Sequence, residues 1–74
     1  MGGVAGPLSL VTRAGREWSV RPIPGQSASK DYVCPFCERR IGAGTPHLVV
    51  WPNDEPAGMD QRRHWHTQCW GRYR

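Results

Sequence analysis

"HWHTQCW" (residues 64–70) places two histidines, a cysteine and two tryptophans in seven consecutive positions of a 74-residue chain. Within it, His66 and Cys69 form H-x-x-C, a spacing that sets both side chains on one face of a first helical turn. Upstream, "YVCPFCERRI" (32–41) carries Cys34 and Cys37 as C-x-x-C, with Pro35 fixing φ on the tight turn between them. The whole pattern is C-x2-C-x28-H-x2-C. Zinc prefers four tetrahedral ligands drawn from thiolate and imidazole, and two evenly spaced donor pairs meet that demand. The reading is one structural Zn²⁺ held by Cys34, Cys37, His66 and Cys69. Three thiols serving only as small buried hydrophobes would have no need of paired spacing.

His64 is the competing ligand. On a strand it shares a face with His66, but four residues separate it from Cys69, a poorer fit to one helical turn. His66 is therefore preferred, and His64 is read as a surface histidine or one hydrogen-bonded behind the ligands. His47, after Pro46, is read as a strand residue.

The residues between the ligand pairs read as a hairpin. "TPHLVVW" (45–51) is rich in β-formers and follows a glycine-containing turn. "PNDEPAGMD" (52–60) is loop, "QRRHW" (61–65) returns as the second strand, and a short helix runs from His66 to about Tyr73. A knuckle, a hairpin and a helix carrying the second pair make a treble-clef-like zinc finger within a small metal-stabilised α+β fold. Ile41, Leu48, Val50, Trp65 and Trp70 are the expected apolar core. "REWSVRPI" (16–23) alternates as a half-buried strand that extends the hairpin, with Trp18 either covered by it or exposed as a partner anchor. Residues 1–15, glycine-rich and without periodicity, read as a flexible N-terminus. Residues 16–74 read as a single zinc-binding domain, with the zinc module at 33–72.

Size and composition support a metal-held domain. So few residues bury little apolar surface, and chains of this length lean on a disulfide, a metal or a partner. In a cytoplasmic chain, whose compartment keeps thiols reduced, an odd count of three cysteines argues against a disulfide framework. The longest apolar run, Leu48–Trp51, is far too short for a membrane span or a signal core, and no basic segment precedes Arg13. A cytoplasmic protein with no membrane partner is expected.

Nine arginines and one lysine against six acids give a net charge of +4, or about +3 once zinc replaces three thiol protons. Arg39 and Arg40 follow the knuckle, and Arg62 and Arg63 lie on the returning strand. Arginine beside aromatics suits phosphate and base contacts, so these four are the candidate nucleic-acid-binding residues, with DNA or RNA as partner. The alternative is a protein–protein adaptor that uses exposed tryptophans, Trp18 or Trp51. Enzymatic activity is not expected. Four protein ligands close a zinc site, H-E-x-x-H is absent, and the deaminase order of histidine before P-C-x-x-C is not met. No small-molecule substrate is therefore expected.

"CPFCERRIGAG…HWHTQCW" resembles the PARP-type zinc finger, a treble-clef-related module with C-x2-C, a long insertion, a Trp before H-x-x-C and an aromatic after it. Cys34, Cys37, Ile41, Trp65, His66, Cys69 and Trp70 match that pattern over about 33–72. Members of that family recognise DNA ends and breaks, so the resemblance implies nucleic acid. The first half of a LIM unit offers the same ligand order and implies a protein partner. The chain is also similar to small uncharacterised proteins of high-GC Gram-positive bacteria, some labelled ATP/GTP-binding. It contains no G-x4-G-K-[ST] phosphate loop to match that label.

Overall fold

The computed structural model describes residues 8–74. Six strands, β1 (Ser9–Arg13), β2 (Arg16–Ile23), β3 (Tyr32–Val33), β4 (Arg40–Ile41), β5 (His47–Pro52) and β6 (Arg63–Trp65), precede one helix, α1 (Thr67–Arg72). Strands β1, β2, β5 and β6 form one antiparallel sheet in the order β1-β2-β5-β6, and β3 pairs with β4 in a separate two-stranded ribbon. The fold is thus small α+β, mostly antiparallel sheet with a short C-terminal helix.

The β2 strand occupies the span expected for it and pairs with β5 from Trp18 opposite Pro52 to Ile23 opposite His47. The expected hairpin is present as β5 and β6, with Leu48 opposite Trp65. Its second strand starts two residues late, because Gly58–Gln61 coils into a 3-10 turn. Gly58 permits that turn to lie against β5: a Cβ there would come within 1.9 Å of the Pro52 carbonyl oxygen. The helix likewise starts one residue later than expected, since His66 is extended at φ −61°, ψ 142° and caps it.

The expected boundary at residue 15 is corrected in part. Ser9–Arg13 is a regular strand, paired with β2 from Ser9 opposite Val20 to Arg13 opposite Arg16. Ala14 and Gly15 both adopt positive φ, 53° and 74°, the backbone of a two-residue turn whose twist matches its strands. The remainder of that stretch, residues 1–7, lies outside the described residues.

One core joins sheet, ribbon and helix. Val20, Val50 and Trp65 from the sheet meet Ile41 from β4, Trp70 from α1, and the thiols of Cys34 and Cys69, with Leu48 packed against them. Trp18 is half-buried there, its ring 5.7 Å from Trp70 and edge-on, and its Nε1 donates to the Arg13 carbonyl. Trp51 is also buried, at 7% exposure. Strand alternation puts it with Val49 and His47 on the opposite side of β5 from Val50. Trp51, one of the two expected anchors, is therefore covered, whereas Trp18 remains partly exposed. Among the described residues, no helix is long and apolar enough to cross a membrane.

Candidate metal centre and its basic surround

The knuckle is shaped by its backbone. The Glu38 amide donates to the Cys34 carbonyl at 2.8 Å, and the Cys34 amide donates to the Arg39 carbonyl at 3.0 Å. Glu38 takes φ 61° to turn the chain back into β4. The loop that results points both thiols of C-x-x-C inward. From the other end, β6 delivers His66 as the helix cap and the first turn of α1 delivers Cys69, with the Trp70 amide donating to the His66 carbonyl.

Cys34, Cys37, His66 and Cys69 converge, their ligand atoms all within 4.8 Å of one another. His66 Nδ1 lies 3.3 Å from Cys37 Sγ and 3.8 Å from Cys69 Sγ. Zinc–sulfur and zinc–nitrogen bonds of about 2.3 and 2.0 Å imply tetrahedral sulfur–nitrogen edges of about 3.5 Å, which these distances bracket. The donor set therefore fits a metal ion, and a structural zinc is consistent with it. The His66 atom turned toward the thiols is Nδ1.

The electrostatics favour a dication. Burial pushes the Cys34 thiol up, but backbone amides of Cys37, His66 and Phe36 outweigh it and hold the group at about 6. Burial, followed by the neighbouring Cys37 and Cys34 side chains, pushes Cys69 up to about 11. The pocket accommodates one thiolate readily and resists the next. A divalent cation removes that conflict, because a coordinating thiol is deprotonated outright.

His64 stands apart from the quartet. Its Nδ1 is 2.7 Å from His47 Nε2, and Tyr32 stacks on its ring at 3.4 Å with an 8° interplanar angle. His47, 2% exposed, turns its own Nδ1 to the Thr45 carbonyl at 2.8 Å. Burial, then His47 and Arg62, press His64 down from 6.5 to about 4. This His–His–Tyr cluster is invisible in the sequence, where the three residues are scattered and only the paired spacing of metal ligands stands out.

Two outcomes separate the histidines. His66→Ala is expected to abolish metal binding, whereas His64→Ala retains it, as elemental analysis of the two purified variants will show. Metal retained by the first and lost from the second would reverse the assignment. The depressed His64 also shapes acid stability. The unfolded chain takes up that proton below about pH 6.5, while the native chain resists it until about pH 4. Its contribution is therefore intact above pH 6.5 and is lost as pH falls toward 4. Urea midpoints of the wild type should fall more steeply over that window than those of His64→Gln; parallel curves would refute the assignment.

The four predicted arginines divide between two shallow depressions. Arg39 and Arg40 line one of about 540 Å³ with Arg72 and Gln68, its floor formed by Cys37, His66 and Cys69. Arg62 and Arg63 line another of about 500 Å³ with Tyr32, Val33 and His64. The β3–β4 ribbon links them, since Val33 pairs with Arg40. Arg72 is the addition the sequence reading left out of its set; its position in the last turn of α1 was the available signal. Among the described residues, the one ion pair to these five arginines is Arg40 with Asp31, at 3.5 Å. Asp54 and Glu55 are engaged elsewhere, by Arg16, which holds the Asp54 carboxyl below its ordinary range.

Fold and cluster together define a small antiparallel α+β domain with a candidate Cys₃His metal centre. The family model described as "Rv1322 family protein" matches residues 9–71, a span that includes all four candidate ligands. The chain belongs to that family. It is 56% identical over 57 residues to uncharacterized proteins of Mycobacterium bovis and of two Mycobacterium tuberculosis strains, CDC 1551 and H37Rv. Each match covers 76% of this chain and 58% of the relative, so the chain spans rather over half the length of those proteins. The similarity to small bacterial proteins is thus shown. No solved structure matches the chain.

Proposed function

We propose that the protein is a structural zinc module of treble-clef type that binds nucleic acid through its arginine face. The observation that carries this reading is the pair of linked arginine depressions, almost free of acidic partners, one of them lined by three of the candidate metal ligands. Guanidinium groups are weakly hydrated and grip phosphate in a fork, so a surface of this kind suits a polyanion. Exposed Val33 and Phe36, at 64% and 44%, add apolar contact on the same knuckle. The order of knuckle, β5–β6 hairpin and ligand-bearing helix supports the treble-clef comparison, with β1 and β2 as an added hairpin. Four protein donors fill a tetrahedral site and leave no coordination position for a substrate, which favours a binding module over an enzyme. A reducing cytoplasm would keep the three thiols available as ligands.

An electrophoretic shift assay at low salt, with blunt, nicked and single-stranded probes, tests this. Binding should weaken steeply with salt, and replacing Arg39, Arg40, Arg62 and Arg63 by alanine should remove it while metal content and fold persist. If all four meet phosphates, the slope of log K against log salt loses roughly three to four units. Absence of any shift at about tens of micromolar protein would transfer the proposal to a protein partner.

A further inference from the structure

We propose that Cys37 is a modification site for small anionic disulfides, steered to it by Arg39, Arg40 and Arg72, and that its reaction unfastens the metal clasp. This rests on the zinc reading above and is independent of the nucleic-acid one. The candidate ligands differ in access. Cys34 is fully buried and Cys69 is 9% exposed, whereas Cys37 is half-buried and lines the depression of about 540 Å³. A reagent entering that depression therefore meets Cys37 first, among three guanidiniums. Arg39 and Arg72 have no carboxylate partner among the described residues, and Arg40 shares Asp31 at 3.5 Å. Gln68, which completes the lining with His66, is neutral. A concave surface of one charge sign raises the local concentration of the opposite ion. The depression is thus an anion funnel that ends on a sulfur.

The chemistry is thiol–disulfide exchange. As a ligand to a dication Cys37 is a thiolate, the form that attacks disulfides. Its Sγ bonds to one sulfur of the incoming disulfide, the old S–S bond breaks, and one small thiolate leaves. Cys34 shares the knuckle, and the ligand atoms of the quartet lie within 4.8 Å of one another. Cys34 Sγ then attacks Cys37 Sγ and expels the second small thiolate. Two protein thiolates are oxidised and one disulfide is reduced to two thiolates, with no further oxidant and no proton consumed. The product keeps only His66 and Cys69 as donors, two short of the tetrahedral set that holds a structural metal. Arginines that attract an anion and a clasp that an anion can open thus share one depression.

The test uses the zinc-loaded full chain at low salt and three disulfides of one skeleton. Bis(2-sulfonatoethyl), bis(2-hydroxyethyl) and bis(2-aminoethyl) disulfide are anionic, neutral and cationic. Metal release is followed with a colorimetric indicator, and each rate is divided by the same reagent's rate with a neutral model thiol. The anionic reagent should be at least roughly 10-fold faster than the neutral one, and the cationic one slower still. Salt at about 1 M should erase that order. Peptide mapping should find Cys37 in the first mixed disulfide and a Cys34–Cys37 disulfide in the product. Replacing Arg39, Arg40 and Arg72 together by glutamine should bring the anionic–neutral ratio to about one while metal content persists. If that variant misfolds, the salt series on the wild type decides alone. A loaded chain that reacts with all three reagents at one rate, or at Cys69 first, would overturn this inference and leave the zinc reading standing. A chain that binds no zinc would overturn both.

Discussion

Serine in place of Cys69 is expected to unfold the domain. Its circular dichroism should lose the sheet signature, and its metal content should fall well below the single zinc ion per chain expected of the wild type. The magnitude follows from where the ligand sits. Apparent binding free energies of structural zinc run to about 10–16 kcal/mol, whereas a domain of this length commands on the order of 4–11 kcal/mol in all. Cys69 is also part of the core with Cys34, Trp65 and Trp70, so metal and apolar packing are lost together. Treating the wild type with a chelator should reproduce the unfolding, and zinc should reverse it. A variant that keeps the native spectrum, or a fold indifferent to chelation, would show that the cluster is not the staple.

Trp70→Ala should be the most damaging substitution outside the ligands. The ring is 5% exposed and lies 5.0 Å from Trp65, 5.7 Å from Trp18 and 5.6 Å from Tyr73. The Arg13 guanidinium covers it at 5.1 Å and ties β1 to the helix, its Nε donating to the Tyr73 carbonyl. Emptying such a site costs about 3–5 kcal/mol. For a chain of this size each kcal/mol lowers the melting temperature by about 4–8 °C, so a drop of at least about 12 °C is expected by calorimetry. Trp70→Phe, which refills part of the volume, should lose less than half as much. A drop below about 5 °C for the alanine variant would mean that the aromatic cluster is incidental to stability.

The parts of the molecule legible in the sequence were those with a repeated chemical spacing. Cys34, Cys37, His66 and Cys69 are found together because tetrahedral coordination imposes a pattern that survives without neighbours. The β2 strand was legible because Trp18 and Val20 alternate against Glu17, Ser19 and Arg21. β1 was missed for a physical reason: its turn uses Ala14, not the asparagine or glycine that usually advertises a left-handed position, and Leu8 and Leu10 remain exposed. The burial of Trp51 was equally hidden. Both sides of β5 are covered, with Val49 and Trp51 on one and Val50 on the other, so the strand reads as continuously apolar and gives no sign of which side faces solvent. The His47–His64–Tyr32 cluster depends on contacts across three strands, which local spacing does not encode.

The placement of β1 and β2 outside the segment enclosed by the ligand pairs has a dynamic consequence. Residues 34–69 form a loop closed at both ends by the candidate centre, and β5 and β6 lie wholly inside it. β1 pairs with β2 alone, and β2 joins the rest of the sheet through β5. Opening the outer hairpin thus leaves the clasp intact, whereas exposing β5 on both edges requires the clasp to yield. Amide hydrogens should exchange along a gradient, fastest in Ser9–Arg13 and slowest in Leu48–Val50. The molecule would then breathe from its N-terminal edge while the basic depressions beside the clasp keep their shape.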